Sequence, residues 1–195
     1  MHKNLPNIFI FLNKYNYQIF ENNIPNIGII YRNYNTKKID DELEKIAAGC
    51  KINRFQLFIS NDIKLALKYR AQGLYIPAFN KKKKIINFEK KGFFVIGSAH
   101  NQKEISEKIS QNCDAIFLSP LFDVKNKKKK LGIHKFNFLA LRNKTVFLAL
   151  GGISEINLNK LKLLCIKGFG GIRLFKKKPA VLRAGFIKNK FFLNN

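Results

Sequence analysis

Chemistry is offered most clearly by two glycine-bearing turns in the last third of the chain. In "VFLALGGIS" (146–154), Gly151 and Gly152 follow an apolar run and precede a helical pattern. Lacking a Cβ, glycine lets backbone N–H groups approach an anion closely. "GFGGIRLFKKK" (168–178) supplies a second such turn, its strand ending at Phe175 and Lys176 before a final helix expected near Pro179. Two strand-to-helix turns about 20 residues apart form the setting in which amides and a helix N-terminus hold a phosphate. The same glycines would also serve as plain turn and cap residues. Upstream, "SPLFDVKNKKKKLG" (119–132) carries lysines at 125 and 127–130. Such a run reads either as a grip on a polyanion or as a cationic loop over a site for something small and anionic.

The elements that must position these turns follow from the hydrophobic pattern. Strands are expected at 8–12, 28–31, 56–60, 73–76, 93–97, 115–119, 146–150 and 170–175, each apolar on both faces, as parallel strands beneath helices are. Amphipathic helices are expected over Asp40–Cys50, Asp62–Tyr69, Gln102–Gln111 and Ile156–Cys165, with Ser154 as N-cap of the last. The segment 80–92 is a weak fourth helix. Eight strand–helix repeats averaging about 24 residues predict an α/β fold, a compact (βα)8 TIM barrel forming a single domain over 1–195. A doubly wound sheet, built from the same alternation, is the rival.

Composition narrows the partners. The formal net charge is +25, yet it is almost all lysine, and Lys, Asn, Ile and Phe are over-used together along the whole chain. Readers of nucleic acid favour arginine for bidentate contacts, so specific nucleic-acid binding is not the expectation; steep salt dependence would reveal it. Three cysteines at 50, 113 and 165, far apart, show no zinc or redox spacing and read as reduced, buried thiols. No apolar run approaches the ~18–20 residues of a membrane span, and the predicted location is cytoplasmic.

The ordered set "GIIYRNY" (28–34), "FISNDIKLALKYRAQGLYI" (58–76), "IGSAHN" (96–101), "DAIFLSPLFDVKNK" (114–127), "LALGGI" (148–153) and "GFGGIRLF" (168–175) resembles the thiamine phosphate synthases and the related TenI proteins. The resemblance covers nearly the whole chain. It implies a barrel, often dimeric, that binds thiazole phosphate and joins it to hydroxymethylpyrimidine diphosphate with Mg²⁺, releasing diphosphate. By motif position, Arg32 and Lys127 would hold diphosphate, helped by Asn61, Ser98 and Asn126 of the strand-six loop. Asp62 would reach Mg²⁺, and the thiazole phosphate would lie on amides near Gly151, Gly152, Phe175 and Lys176.

Several positions depart from that pattern. Ile30 and Tyr34 stand where a Gln and a Lys flank the arginine, and Asn80 stands where a second metal-binding carboxylate belongs. Val124 and Asn126 replace paired threonines. Pro120 takes the place of the histidine on which TenI-type isomerisation relies. Three readings follow: a synthase acting on phosphorylated thiamine precursors, a TenI-like paralogue that binds a phosphorylated thiazole with isomerase or no activity, and a basic nucleic-acid module. Plainer roles stand beside the sharp ones. Arg32 could pair with a carboxylate, Asn61-Asp62 could cap a helix, and Ser98 could cap the next. His100 and His134 read as helix-start residues, and Lys128–Lys130 as solvated charge.

Overall fold

The computed structural model describes residues 4–21, 26–33, 39–82, 92–124, 129–172 and 174–175. Eight parallel strands close into one barrel in sequence order. They are β1 (Ile8–Leu12), β2 (Ile27–Tyr31), β3 (Gln56–Ser60), β4 (Gly73–Ile76), β5 (Phe94–Ala99), β6 (Ala115–Leu118), β7 (Val146–Leu150) and β8 (Gly168–Gly171). Closure is made by β1 against β8, in the register Ile8↔Phe169 to Ile10↔Gly171. The helices between them are α1 (Tyr17–Phe20), α2 (Ile39–Asn53), α3 (Ile63–Lys68), α4 (Gln102–Ser110) and α5 (Gly132–Leu141), with a 3-10 helix over Leu158–Leu163. The expected barrel is therefore the observed one, and the doubly wound alternative is excluded by closure. The weak helix expected over 80–92 and the final helix near Pro179 fall largely or wholly outside the described residues.

Strand alternation sends one set of side chains into the barrel and the other beneath the helices. From β1, Phe9 and Phe11 point into the barrel with Phe58, Tyr75 and Phe117, while Ile8, Ile10 and Leu12 pack beneath the helices. Inside, Phe9 meets Phe117 edge-on with centroids 5.2 Å apart, and Phe11 meets Tyr75 at 5.3 Å. Such rings fit because glycine faces them. A Cβ on Gly28 would lie 2.5 Å from the Phe9 ring, and one on Gly73 2.7 Å from Phe58. A run apolar on both faces is thus two cores at once, one inside the barrel and one under its helices.

Helix starts explain several local choices. Asp62 caps α3, its Oδ1 accepting the Leu65 N–H at 2.9 Å. Asn101 caps α4, and Glu104 reaches back as in a capping box, accepting the His100 N–H at 2.8 Å and contacting His100 Nδ1 at 2.8 Å. His100 therefore does order this helix start, as its position predicts, and the contact with His100 holds the Glu104 carboxyl below its usual range against the upward push of burial. On α4, Lys108 is fully buried, and its ammonium donates to Asn80 O at 2.7 Å and Gln111 Oε1 at 2.9 Å. Burial pulls its pKa below the ordinary lysine value.

The cysteines need one correction. Cys50 and Cys113 are buried, but Cys165 is exposed. Burial raises both hidden thiols, Cys113 to about 12 and Cys50 further. The thiolate is the reactive form, so at pH 8 a disulfide reagent should titrate one thiol of the native protein and three after denaturation. Rapid modification of more than one thiol without unfolding would contradict this packing.

Candidate active site

A cavity of about 820 Å³ opens at the C-terminal ends of the strands, the face on which barrels carry their sites. Arg32, Ser98, Gly151 and Gly152, four residues singled out from the sequence, line it together. Arg32 sits just beyond β2, where its N–H extends the ladder to Leu12 O at 2.7 Å. Its guanidinium lies 5.5 Å above the Phe11 ring, at the top of the inner core. Among the described residues it has no carboxylate partner, so the structural alternative of a rim ion pair is not what holds it. A planar cation stacked on one face keeps its edge donors available for an incoming anion.

Ser98 is a strand residue of β5, 5 % exposed, whose Oγ accepts a 3.0 Å hydrogen bond from the Tyr75 hydroxyl. It does not cap α4; Asn101 does. On the other side, Gly151 and Gly152 adopt φ of +92° and +72°, the left-handed region that favours glycine. They also lie against the loop after β6: Phe122 donates to Gly151 O at 3.0 Å, and a Cβ on Gly152 would stand 2.5 Å from the Phe122 carbonyl carbon. Among the described residues the N–H groups of Gly152 and Ile153 have no intramolecular acceptor. Ser154 is not a cap either. Asn157 clasps this turn instead, accepting from Ser154 N–H at 2.9 Å and donating to Gly152 O at 2.8 Å.

The remaining predicted residues are placed less simply. Asn61, at φ +61°, and Asn80 meet through an amide–amide hydrogen bond, Asn80 Nδ2 to Asn61 Oδ1, beside rather than within the lining of the cavity. Phe175 is fully buried with its ring stacked on Phe169 at 6.3 Å, and the expected strand over 170–175 ends at Gly171, with Leu174 and Phe175 already helical. Asn126, Lys127 and Lys176 lie outside the described residues. Of the lysine loop, Lys130 is ion-paired with Asp123 rather than merely solvated, an exposed contact of little energetic weight. The loop stem is closed by Leu131 N–H to Pro120 O at 2.9 Å and Gly132 N–H to Leu121 O at 3.0 Å.

Sequence reasoning missed Tyr75, Ser119, Asp123 and Glu155, which also line the cavity. The donor set does not fit a Mg²⁺ ion held by protein carboxylates. Asp62 is the one anionic side chain of the Asn61–Asp62–Asn80 group, and one of its oxygens caps α3. Among the described residues, no three His, Cys, Asp or Glu side chains gather as a metal centre requires.

The fold and mouth define a compact (βα)8 barrel whose candidate site lies on the C-terminal face of the strands. The model of the thiamine monophosphate synthase family matches residues 24–174, and the chain belongs to that family. A thiamine-phosphate synthase of Prochlorococcus marinus is 31% identical over 133 residues, covering 65% of this chain and 37% of that protein. One from Pediococcus pentosaceus is 26% identical over 130 residues, covering 64% of this chain and 60% of the relative. The chain thus spans little more than a third of the first curated relative it matches. Thiamine phosphate pyrophosphorylase from Pyrococcus furiosus superposes with a TM-score of 0.71 at 15% identity, covering 95% of this chain and 91% of that one. The Bacteroides thetaiotaomicron thiamine phosphate pyrophosphorylase gives 0.62 at 18% identity, over 89% and 85%. At such identities these structures show the fold.

Proposed function

We propose that this chain is a thiamine phosphate synthase of thiamine biosynthesis, condensing hydroxymethylpyrimidine diphosphate with thiazole phosphate to thiamine phosphate and diphosphate. The observation that carries the reading is the convergence, in one mouth, of an arginine stacked on Phe11 and a glycine turn with unengaged N–H groups. Two anionic groups need two such binding elements. Negative charge develops on the diphosphate as it leaves the pyrimidine methylene, and preorganised donors aimed at that charge stabilise the transition state. Arg32 supplies them as a planar fork, and Lys127 is read as the contact that joins it from the lysine loop. Ser98, fixed by Tyr75, offers its hydroxyl hydrogen to the same anion. Gly152 and Ile153 receive the thiazole phosphate, with the amides of Phe175 and Lys176 on the other side in this reading.

Apolar lining from Phe79, Leu150 and Ile172 suits the faces of the two rings. A cytoplasmic location goes with this reading, since both substrates are phosphate esters that do not diffuse through bilayers; among the described residues no helix is long and apolar enough to cross a membrane. A homodimer belongs to it as well. Phe138 and Leu141 on α5 and the neighbouring Leu163 are exposed apolar side chains that such a dimer would cover.

The second reading, a TenI-like paralogue that binds a phosphorylated thiazole without condensing it, is favoured by Asn80 at the position of a metal-binding carboxylate and by its bond to Asn61. The assay that separates them is thiamine phosphate formation from the two substrates in Mg²⁺ buffer. Product supports the synthase. Its absence, from folded protein that still binds thiazole phosphate, overturns the condensing activity and leaves the paralogue.

A further inference from the structure

Both oxygens of Asn80 are engaged within the protein. Its carbonyl oxygen accepts from Lys108 Nζ at 2.7 Å and from Gln111 Nε2 at 3.0 Å, which fills both lone pairs. Its side-chain Oδ1 accepts the Lys82 N–H at 2.9 Å. Because that backbone group can only donate, the orientation of the amide is fixed, and the NH2 end faces Asn61. Asn61 Oδ1 is engaged in turn by that NH2, while the Asn61 N–H donates to Tyr75 O at 2.9 Å. Asp62 gives Oδ1 to the Leu65 N–H, which leaves its Oδ2 without a hydrogen-bond partner among the described residues.

The scaffold beneath is built to keep this arrangement. Lys108 lies fully buried, its stem packed where a Cβ on Gly97 would meet it at 2.9 Å, and Gln111 also donates to Lys82 O at 2.8 Å. An ammonium from the last turn of α4 and a carboxamide from its C-cap thus pin the Asn80 and Lys82 carbonyls of the loop after β4. A divalent cation placed here would meet an NH2 group and a nearby buried ammonium, whereas Mg²⁺ demands near-octahedral oxygen.

We propose that the Asn61–Asn80 bridge, anchored by Lys108 and Gln111, is a fixed neutral wall where a carboxylate pair would hold a metal, so that this corner of the barrel offers no divalent-cation site of its own and accepts the ion only as a complex with diphosphate. The diphosphate oxygens then supply the coordination the protein lacks, and Asp62 Oδ2 is the protein's anionic contact. The second half of this statement rests on the synthase reading; the first half does not. A carboxylate site is one substitution away. In Asn80→Asp, one oxygen keeps the Lys82 N–H, the main-chain bond to Lys108 is unchanged, and the second oxygen turns a charge toward Asn61.

Mn²⁺ is the probe, read as free ion by electron paramagnetic resonance, with parent and Asn80→Asp proteins checked for matching circular dichroism. The parent alone should bind no Mn²⁺ below about 1 mM, and Asn80→Asp should bind one ion at least about tenfold more tightly. With inorganic diphosphate present, the parent should take up Mn²⁺ and diphosphate together, and Asp62→Asn should weaken that uptake. A parent that binds one Mn²⁺ at micromolar concentration without diphosphate overturns the proposal, as does an Asn80→Asp protein that binds no better than the parent. Diphosphate that fails to bind in any form overturns the delivery of metal with it and counts against the condensing reaction, while the Mn²⁺-only comparison still decides whether the wall exists.

Discussion

Arg32→Ala is expected to weaken inorganic diphosphate binding by at least about a hundredfold, since two charge-assisted hydrogen bonds at roughly 1.5–3 kcal/mol each are lost. Thiazole phosphate affinity should change by less than about threefold, because the cradle proposed for it is the Gly152–Ile153 turn, which also lines the cavity. The fold should survive. What anchors this position is the main-chain bond to Leu12 O at 2.7 Å, and alanine keeps it. Arg32→Lys separates charge from shape: it retains the cation but loses the fork and the stacking on Phe11 at 5.5 Å. Its loss should fall between parent and alanine. Calorimetric titration of each variant with each anion reads both effects. Equal affinity of parent and Arg32→Ala for both ligands would remove Arg32 from the site.

The barrel was legible in the sequence because its strands have two apolar faces, and both turned out to face cores. Strand ends were less legible where register decides them. The glycines of β8 belong to the strand because Phe169 and Gly170 pair with Ile8 and Phe9, a long-range closure that no local pattern contains. The helix expected from Ile156 became a 3-10 turn, since Asn157 rather than Ser154 organises the chain after Gly152. In α4, Ile109 is 41 % exposed although its spacing from Ile105 suits a buried face. The place under the helix is filled by the stem of Lys108 against Gly97. Nothing local marks one buried lysine in a chain with 37 basic residues.

The site divides in the same way. Arg32, Ser98, Gly151 and Gly152 were readable as residues of the mouth because each stands at or just past the end of a strand. Tyr75 and Ser119 come from strands whose ends reach the mouth only once the barrel closes, and their types alone are commonplace. Asn61 and Asn80 lie 19 residues apart and belong to different loops. That they touch, and with which ends, depends on the β3–β4 pairing and on a lysine two strands away.

Gly152→Ala and Gly132→Ala form a matched pair that tests the cradle. Both glycines have left-handed backbones, φ +72° and +69°, so each alanine bears the same conformational cost, about 1–2 kcal/mol. Their surroundings differ. Around Gly132 a Cβ would meet nothing within 4 Å. At Gly152 it would stand 2.6 Å from Phe122 O and 2.7 Å from Asp123 O, main-chain atoms that move only with the whole β6 loop. Overpacking of this kind adds roughly 1–3 kcal/mol. Urea unfolding should therefore show Gly152→Ala as the less stable of the two by that margin. The loop must shift, or the turn must, and either displaces the N–H groups of Gly152 and Ile153. Thiazole phosphate should accordingly bind Gly152→Ala at least about tenfold more weakly, while Gly132→Ala, whose N–H still reaches Leu121 O, binds as the parent does. Two alanine variants of equal stability and unchanged affinity would show that the turn at Gly152 tolerates a side chain, and that the phosphate is held elsewhere.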